Sequence, residues 1–315
     1  MNQSLAFVFP GQGSQSLGML AELAAEHAII GETFAEASAV VGYDLWALCQ
    51  NGPEADLNRT DRTQPTILTA SVALWRLWCA NAAARPAYVA GHSLGEYTAL
   101  VAAEVISFAD AVRLVERRGQ LMQQAVPEGK GAMAAILGLT DAQIIEVCGQ
   151  AGQGEVVSAA NFNAPGQVVI AGQASAVDRA IEGCKAAGAK RAIGLPVSVP
   201  SHCALMKPAA EQLARDLADL QWREPSIPVV QNVHARRAAD ANEMRSLLVQ
   251  QLYSPVRWVQ SIEYMAEQGV TEVVECGPGK VLSGLNKRCE KSLNTFNLDS
   301  AAGLAAALDH FSQGA

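Results

Sequence analysis

Two kinds of apolar pattern alternate along the chain. Short continuous runs read as buried strands, and longer segments with apolar residues three or four apart read as helices against a core. Leu5–Phe9 is a run of the first kind, and it stops at the turn Pro10-Gly11-Gln12-Gly13. The alanine-rich segment Ala21–Ile30 reads as a helix. Gln64–Trp78 sets Ile67, Leu68, Leu74, Leu77 and Trp78 near helical spacing. Tyr88–Ala90 is a second short strand. Ser107–Gln124 is a long helix, with Ser107 as its N-cap and Asp110 in its first turn. This alternation predicts an α/β fold.

The middle of the chain has its own order. Ala132–Leu137 reads as strand, Asp141–Cys148 as helix, Val156–Ala160 and Gln167–Ala171 as strands, Ser175–Ala187 as helix and Arg191–Leu195 as strand. The sequence β-α-β-β-α-β is that of a ferredoxin-like split unit. Pro127-Glu128-Gly129 and Pro196 bound it, so residues 127–197 are expected to form a small domain inserted into a larger body of residues 1–126 and 198–315. The body resumes with the helix Ala204–Leu220, the strand Pro228–Asn232, the helix Tyr264–Gln268 and the strand Thr271–Glu275. Pro208 falls early in the first of these helices, where it is tolerated.

Composition narrows the classes. Half of the 315 residues are hydrophobic, enough for a sizeable core. The formal net charge is −8, so neither nucleic acid nor an anionic membrane surface is an expected partner. No apolar stretch approaches the ~20 residues of a membrane span. Met1-Asn2-Gln3-Ser4 is not basic, and no signal peptide is expected. Seven cysteines, an odd number without a Cys-x-x-Cys pair, give neither a zinc nor a disulfide framework and fit a reducing cytoplasm.

The most informative segment is Gly91-His92-Ser93-Leu94-Gly95, between the strand Tyr88–Ala90 and a small-residue helix. Strand, Gly-x-Ser-x-Gly turn and helix form the context of a nucleophile elbow. A helix N-terminus there aims free N–H groups at developing negative charge. A glycine-rich turn whose serine merely caps the helix would look similar. A serine hydroxyl also needs a base. His27 and His310 lie in helical segments, and His92 adjoins the serine on a tight turn, which suits a structural hydrogen bond. His202 and His234 both follow strand-like segments, where α/β sites gather. His202 is the better placed, because it ends Pro196–Ser201 and opens a helix, while His234 begins a polar run. Cys203 is an alternative nucleophile or a small buried residue. The loop Phe9–Gln15 fails the dinucleotide fingerprint, since Ser16 stands at the third glycine position, but its N–H groups could form half of an oxyanion hole.

Seven segments occur in order: Phe9-Pro10-Gly11-Gln12-Gly13-Ser14-Gln15, Gly91–Glu96, Arg118-Gly119, Asn161–Gln167, Pro200-Ser201-His202, Gln251–Val256 and Gly277-Pro278-Gly279. Together they resemble the bacterial malonyl-CoA:acyl-carrier-protein transacylases of fatty acid synthesis, from about residue 5 to residue 298. The resemblance implies an α/β-hydrolase-like body with a ferredoxin-like insertion. It implies that Ser93 accepts the acyl group and His202 acts as general base, then acid. It further implies an oxyanion hole from the N–H groups of Gln12 and Leu94, and Arg118 as the ligand of the malonyl carboxylate. Gln251 would orient His202 through its main-chain carbonyl. By itself the sequence favours Arg118 as one of a surface pair with Arg117 on a long helix, and only the resemblance reverses that reading.

Malonyl-CoA and acyl carrier protein are the implied partners. No metal or other cofactor is expected, since CoA and phosphopantetheine arrive with the substrates, and a monomer is expected. Lys190-Arg191, and Lys287-Arg288 with Lys291, are the basic clusters that an acidic carrier could meet. Cys276 departs from the apolar residue ordinary before Gly277. A serine hydrolase, a malonyl transferase of a polyketide or malonate-decarboxylase pathway, and a carrier-binding scaffold are the alternatives. Intact Ser93, His202 and Arg118 weigh against the last.

Overall fold

β1 (Asn2–Phe9) is buried on both faces from Leu5 to Phe9, as its unbroken apolar run requires of a central parallel strand. The computed structural model describes residues 2–82, 84–197 and 199–312, and these contain ten strands. The others are β2 (Pro86–Gly91), β3 (Gly131–Leu137), β4 (Val157–Ala164), β5 (Gln167–Gln173), β6 (Arg191–Gly194), β7 (Val229–Gln231), β8 (Arg236–Arg237), β9 (Glu272–Glu275) and β10 (Asn294–Asn297).

Six strands form one sheet in the order β10-β9-β1-β2-β7-β8, parallel except for the antiparallel edge strand β8. Its register decides where chemistry can occur. Phe9 lies opposite Gly91, Ala90 opposite Val230, and Val8 opposite Glu275. The loop after β1, the turn after β2 and Asn232 after β7 therefore leave the sheet side by side at its carboxyl end, where ligands of open α/β sheets bind.

The other four strands form an antiparallel sheet in the order β4-β5-β3-β6, covered by the helices Asp141–Gly152 and Ala174–Ala186. Thr140 caps the first of these helices in a complete capping box with Gln143. The two sheets are joined at β4. Phe162 N–H donates to the Val256 carbonyl and Val256 N–H to the Ala160 carbonyl, both at 2.9 Å.

The pattern-based elements are present, with shifted limits. Ala21–Ile30 is not one helix, because His27 adopts extended angles and separates Ala21–Glu26 from Ala28–Val41. The helix expected over 204–220 opens as a 3-10 turn, Ala204–Met206, and becomes α-helical at Lys207–Ala218. The helix expected over 264–268 runs from Trp258 to Glu267. Ser107 caps Phe108–Ala125 as read, accepting from Asp110 N–H. No helix among the described residues is long and apolar enough to cross a membrane.

Candidate active site

Ser93 stands on the turn between β2 and the helix Gly95–Ala102, with φ of 52°. A non-glycine residue in this left-handed region is strained and must be held by its surroundings. The flanking glycines are needed for space. A Cβ on Gly91 would overlap the main chain of Gly95, and one on Gly95 would overlap the Phe9 carbonyl. The strain is held from two sides. Asn232 Oδ1 accepts the Ser93 N–H at 2.7 Å, and Gln251 Nε2 donates to the Ser93 carbonyl at 2.9 Å. Asn232 also donates through Nδ2 to the Gly91 carbonyl at 2.6 Å, so one side chain spans the whole elbow.

His202 is buried, also at positive φ (63°), and its Nε2 lies 2.7 Å from Ser93 Oγ. The other ring nitrogen, Nδ1, lies 2.7 Å from the Gln251 main-chain carbonyl. A carbonyl can only accept, so the proton is on Nδ1 and Nε2 is bare to receive the serine proton. Burial, and then the positive charge of Arg118, pull the imidazole down to about 3. The ring is neutral at physiological pH, the state that a general base requires.

Arg118 is buried on the helix Phe108–Ala125. Gly119 beside it lets this helix approach the helix Thr60–Asn81 closely; a Cβ there would stand 2.6 Å from Asp61 Cα. The guanidinium donates to Gln64 Oε1 at 2.8 Å, Gln251 Oε1 at 3.1 Å and Ser93 Oγ at 3.3 Å, all uncharged oxygens. Its Nε has no partner among the described residues. A desolvated guanidinium without a hydrogen-bonded carboxylate is costly to keep, and it is suited to a carboxylate arriving with a substrate. Ser93, His202 and Arg118 line one cavity of about 240 Å³, together with Gln12, Leu94 and Asn161.

The chain matches the acyl transferase domain family over residues 6–305. It is 61% identical to the malonyl CoA-acyl carrier protein transacylase of Salmonella typhimurium, over 96% of this chain and 98% of that protein. The chain belongs to the acyl transferase family. Among solved structures it is similar to an acyl carrier protein S-malonyltransferase of Vibrio cholerae, with 59% identity, a TM-score of 0.95 and coverage of 96% and 99% of the two chains. It is also similar to a malonyl-transacylase solved with a type II PKS acyl-carrier protein, with 55% identity, a TM-score of 0.96 and coverage of 98% and 99%.

Each residue that the transacylase resemblance singled out lies in or against the cavity. The main-chain N–H groups of Gln12 and Leu94, both residues of its lining, donate to no protein acceptor among the described residues. Gln251 is buried behind Ser93, His202 and Arg118 and touches all three. His234 lies elsewhere, 3.5 Å from Glu243, and does not line the cavity. His92 bonds Asn163 Oδ1 at 2.8 Å and packs against Trp258, the structural role expected of it. Cys203 is buried, its thiol pushed up to about 11 by desolvation, which suits a packing residue and not a nucleophile. Cys276 is buried with its thiol directed at the Ser71 carbonyl.

Lys190, Arg191, Lys287 and Lys291 are exposed, while Arg288 is engaged by Gln167 and the Pro165 carbonyl. Sequence reasoning missed Asn232, Gln64 and the part played by Glu96. Gln64 carried no signal, because it stands among the polar residues Thr60, Asp61, Arg62, Thr63 and Thr66.

Proposed function

We propose that the chain transfers a malonyl group from malonyl-CoA to the phosphopantetheine thiol of acyl carrier protein, by a ping-pong route through a Ser93 ester. The observation that carries this reading is the buried Arg118 guanidinium, 3.3 Å from Ser93 Oγ and hydrogen-bonded, among the described residues, only to uncharged oxygens. It selects an acyl group ending in a carboxylate and holds it beside the nucleophile.

In the first half-reaction Ser93 Oγ attacks the thioester carbon while its proton passes to His202 Nε2. The oxyanion is received by the N–H groups of Gln12 and Leu94, each worth roughly 3–4 kcal/mol. The C–S bond then breaks, the His202 proton goes to the departing thiolate, and CoA leaves. In the second half the carrier thiol gives its proton to His202 and attacks the ester, and Ser93 recovers its proton. Gln251 holds His202 in the productive tautomer in place of a triad carboxylate. The thioester already carries the acyl group in activated form, so these steps call on no metal or redox cofactor.

The architecture supports a division into an α/β-hydrolase-like body, 1–126 and 198–315, and a ferredoxin-like insertion, 127–197. The strand order β4-β5-β3-β6 is that expected of the split unit. Ser198, at the boundary, lies outside the described residues. A monomer in the cytoplasm, serving fatty acid synthesis, completes the reading. The likeness to a transacylase solved with a polyketide carrier favours a second reading in which the acceptor is such a carrier.

The test is transfer itself. Malonyl-CoA and the phosphopantetheinylated carrier are mixed with catalytic amounts of the protein, and the carrier's mass is followed. A malonylated carrier is expected. Free malonate as the sole acyl product would make the protein a hydrolase instead.

A further inference from the structure

Glu96 directly follows the elbow turn and takes no part in the steps above. It is buried in the first turn of the helix Gly95–Ala102. A single oxygen, Oε2, accepts from Asn232 N–H at 3.0 Å and from Gln251 Nε2 at 3.0 Å. These are the two residues that grip Ser93, one at its N–H and the other at its carbonyl. Oε1 has no partner among the described residues, and burial pushes the carboxyl group up to about 7. A half-satisfied buried carboxyl group does little for stability by itself, so its value lies in what it holds.

What it holds is an amide orientation. A glutamine amide can sit in either of two orientations related by a flip. In the observed one, Nε2 meets two acceptors, Glu96 Oε2 and the Ser93 carbonyl, while Oε1 meets the donor Arg118 Nη2. The reverse orientation would set Gln251 oxygen against the two acceptors and its NH2 against the guanidinium. We propose that Glu96 is a positioning residue: its Oε2 fixes the Gln251 amide and the Asn232 main chain, and through them the strained Ser93 backbone and the Arg118 guanidinium.

This inference rests on the transfer reading above. It makes a prediction that a merely structural residue would not meet. Because Glu96 acts on Arg118 through Gln251, its loss should change which acyl group is preferred. The experiment compares kcat/KM for malonyl-CoA and acetyl-CoA in the parent, Glu96→Met and Glu96→Gln, with thermal melts alongside. Methionine fills a similar volume without the carboxylate acceptor. Glutamine can place its amide oxygen where Oε2 stood and keep both hydrogen bonds. Glu96→Met should lose at least about tenfold in kcat/KM for malonyl-CoA and at least about threefold in the malonyl-to-acetyl ratio. Glu96→Gln should stay within about threefold of the parent in both.

A Glu96→Met enzyme that transfers less but keeps the parent ratio would overturn the proposal, as would a Glu96→Gln enzyme with a collapsed ratio. The second criterion stands even where Glu96→Met does not fold. If the parent itself transfers no malonyl group, the transfer reading falls and this one with it. If the parent transfers and Glu96→Met matches its ratio, this one falls alone.

Discussion

The carboxyl end of the parallel sheet and the four-stranded unit solve burial in opposite ways. Between residues 127 and 197, Asn161 is the one buried polar side chain among the described residues, and it lines the Ser93 cavity. The rest of that interior is apolar, with Ile136, Ile144, Val168 and Ile170 at its centre. Its charged groups stay at the surface, as in the half-exposed pair Arg179–Glu155. Behind the elbow, Gln64, Glu96, Arg118, His202, Asn232 and Gln251 are all buried and joined by hydrogen bonds. The first region follows the hydrophobic effect, near 25 cal/mol per Å² of apolar surface. The second accepts desolvation penalties that packing alone would avoid. The difference marks where the fold is built for chemistry.

Short of removing the nucleophile itself, the largest effect on rate should come from removing the base. His202→Ala is expected to slow Ser93 acylation by about 10²–10⁴-fold in stopped-flow, with malonyl-CoA binding largely kept because Arg118 remains. A larger loss from His234→Ala would contradict the choice between the two histidines. Next in size is selectivity. Arg118→Ala should lower the malonyl-to-acetyl ratio by about 150- to 5,000-fold, from about 3–5 kcal/mol for a broken buried pair. Side-by-side turnover of the two thioesters measures it, and an unchanged ratio would remove Arg118 from the site.

Acid titration sharpens the comparison further. His202 falls from 6.5 to about 3, so between those values the unfolded chain binds the extra proton and stability rises with pH. Glu96 rises from 4.5 to about 7, so between those values the folded chain binds the extra proton and stability falls as pH rises. From pH 4.5 to 6.5 the two slopes oppose each other. Glu96→Gln removes one of them. Denaturation at pH 5 and pH 6.5 should show stability rising more steeply with pH in that variant than in the parent, by up to about 1.4 kcal/mol per pH unit. Equal slopes would sink this assignment. Least of all should activity respond to Ile170→Ala in the apolar unit. That change should cost about 2–5 kcal/mol of stability in a urea melt and leave turnover per folded molecule at the parent value.

The same contrast explains what the sequence discloses. In the four-stranded unit, period and punctuation carry the whole architecture, and every element was legible from Ala132 to Leu195 within a few residues. Ser93 was legible too, because its glycines answer a local steric demand. His202 was narrowed but not separated from His234 by the chain, since only the tertiary fold brings it 2.7 Å from Ser93 Oγ. Arg118 and Gln251 depended on the family resemblance. Arg118 sits beside the half-buried Arg117, which pairs with Asp216, and nothing in the chain tells the two apart. Asn232, Gln64 and the role of Glu96 were out of reach because their partners lie 54 to 155 residues away. The break at His27 escaped the alanine-rich pattern because helix propensity is only a weak prior against tertiary context.

The central claim is that the buried charge behind the elbow serves an acyl group carried on Ser93. Intact-mass measurement of the protein after brief mixing with malonyl-CoA tests it most directly, with peptide mapping of the adduct. One malonyl group on Ser93 in the parent, and none in Ser93→Ala, is the predicted result. An adduct that persists in Ser93→Ala, or one that maps to another residue, would contradict it.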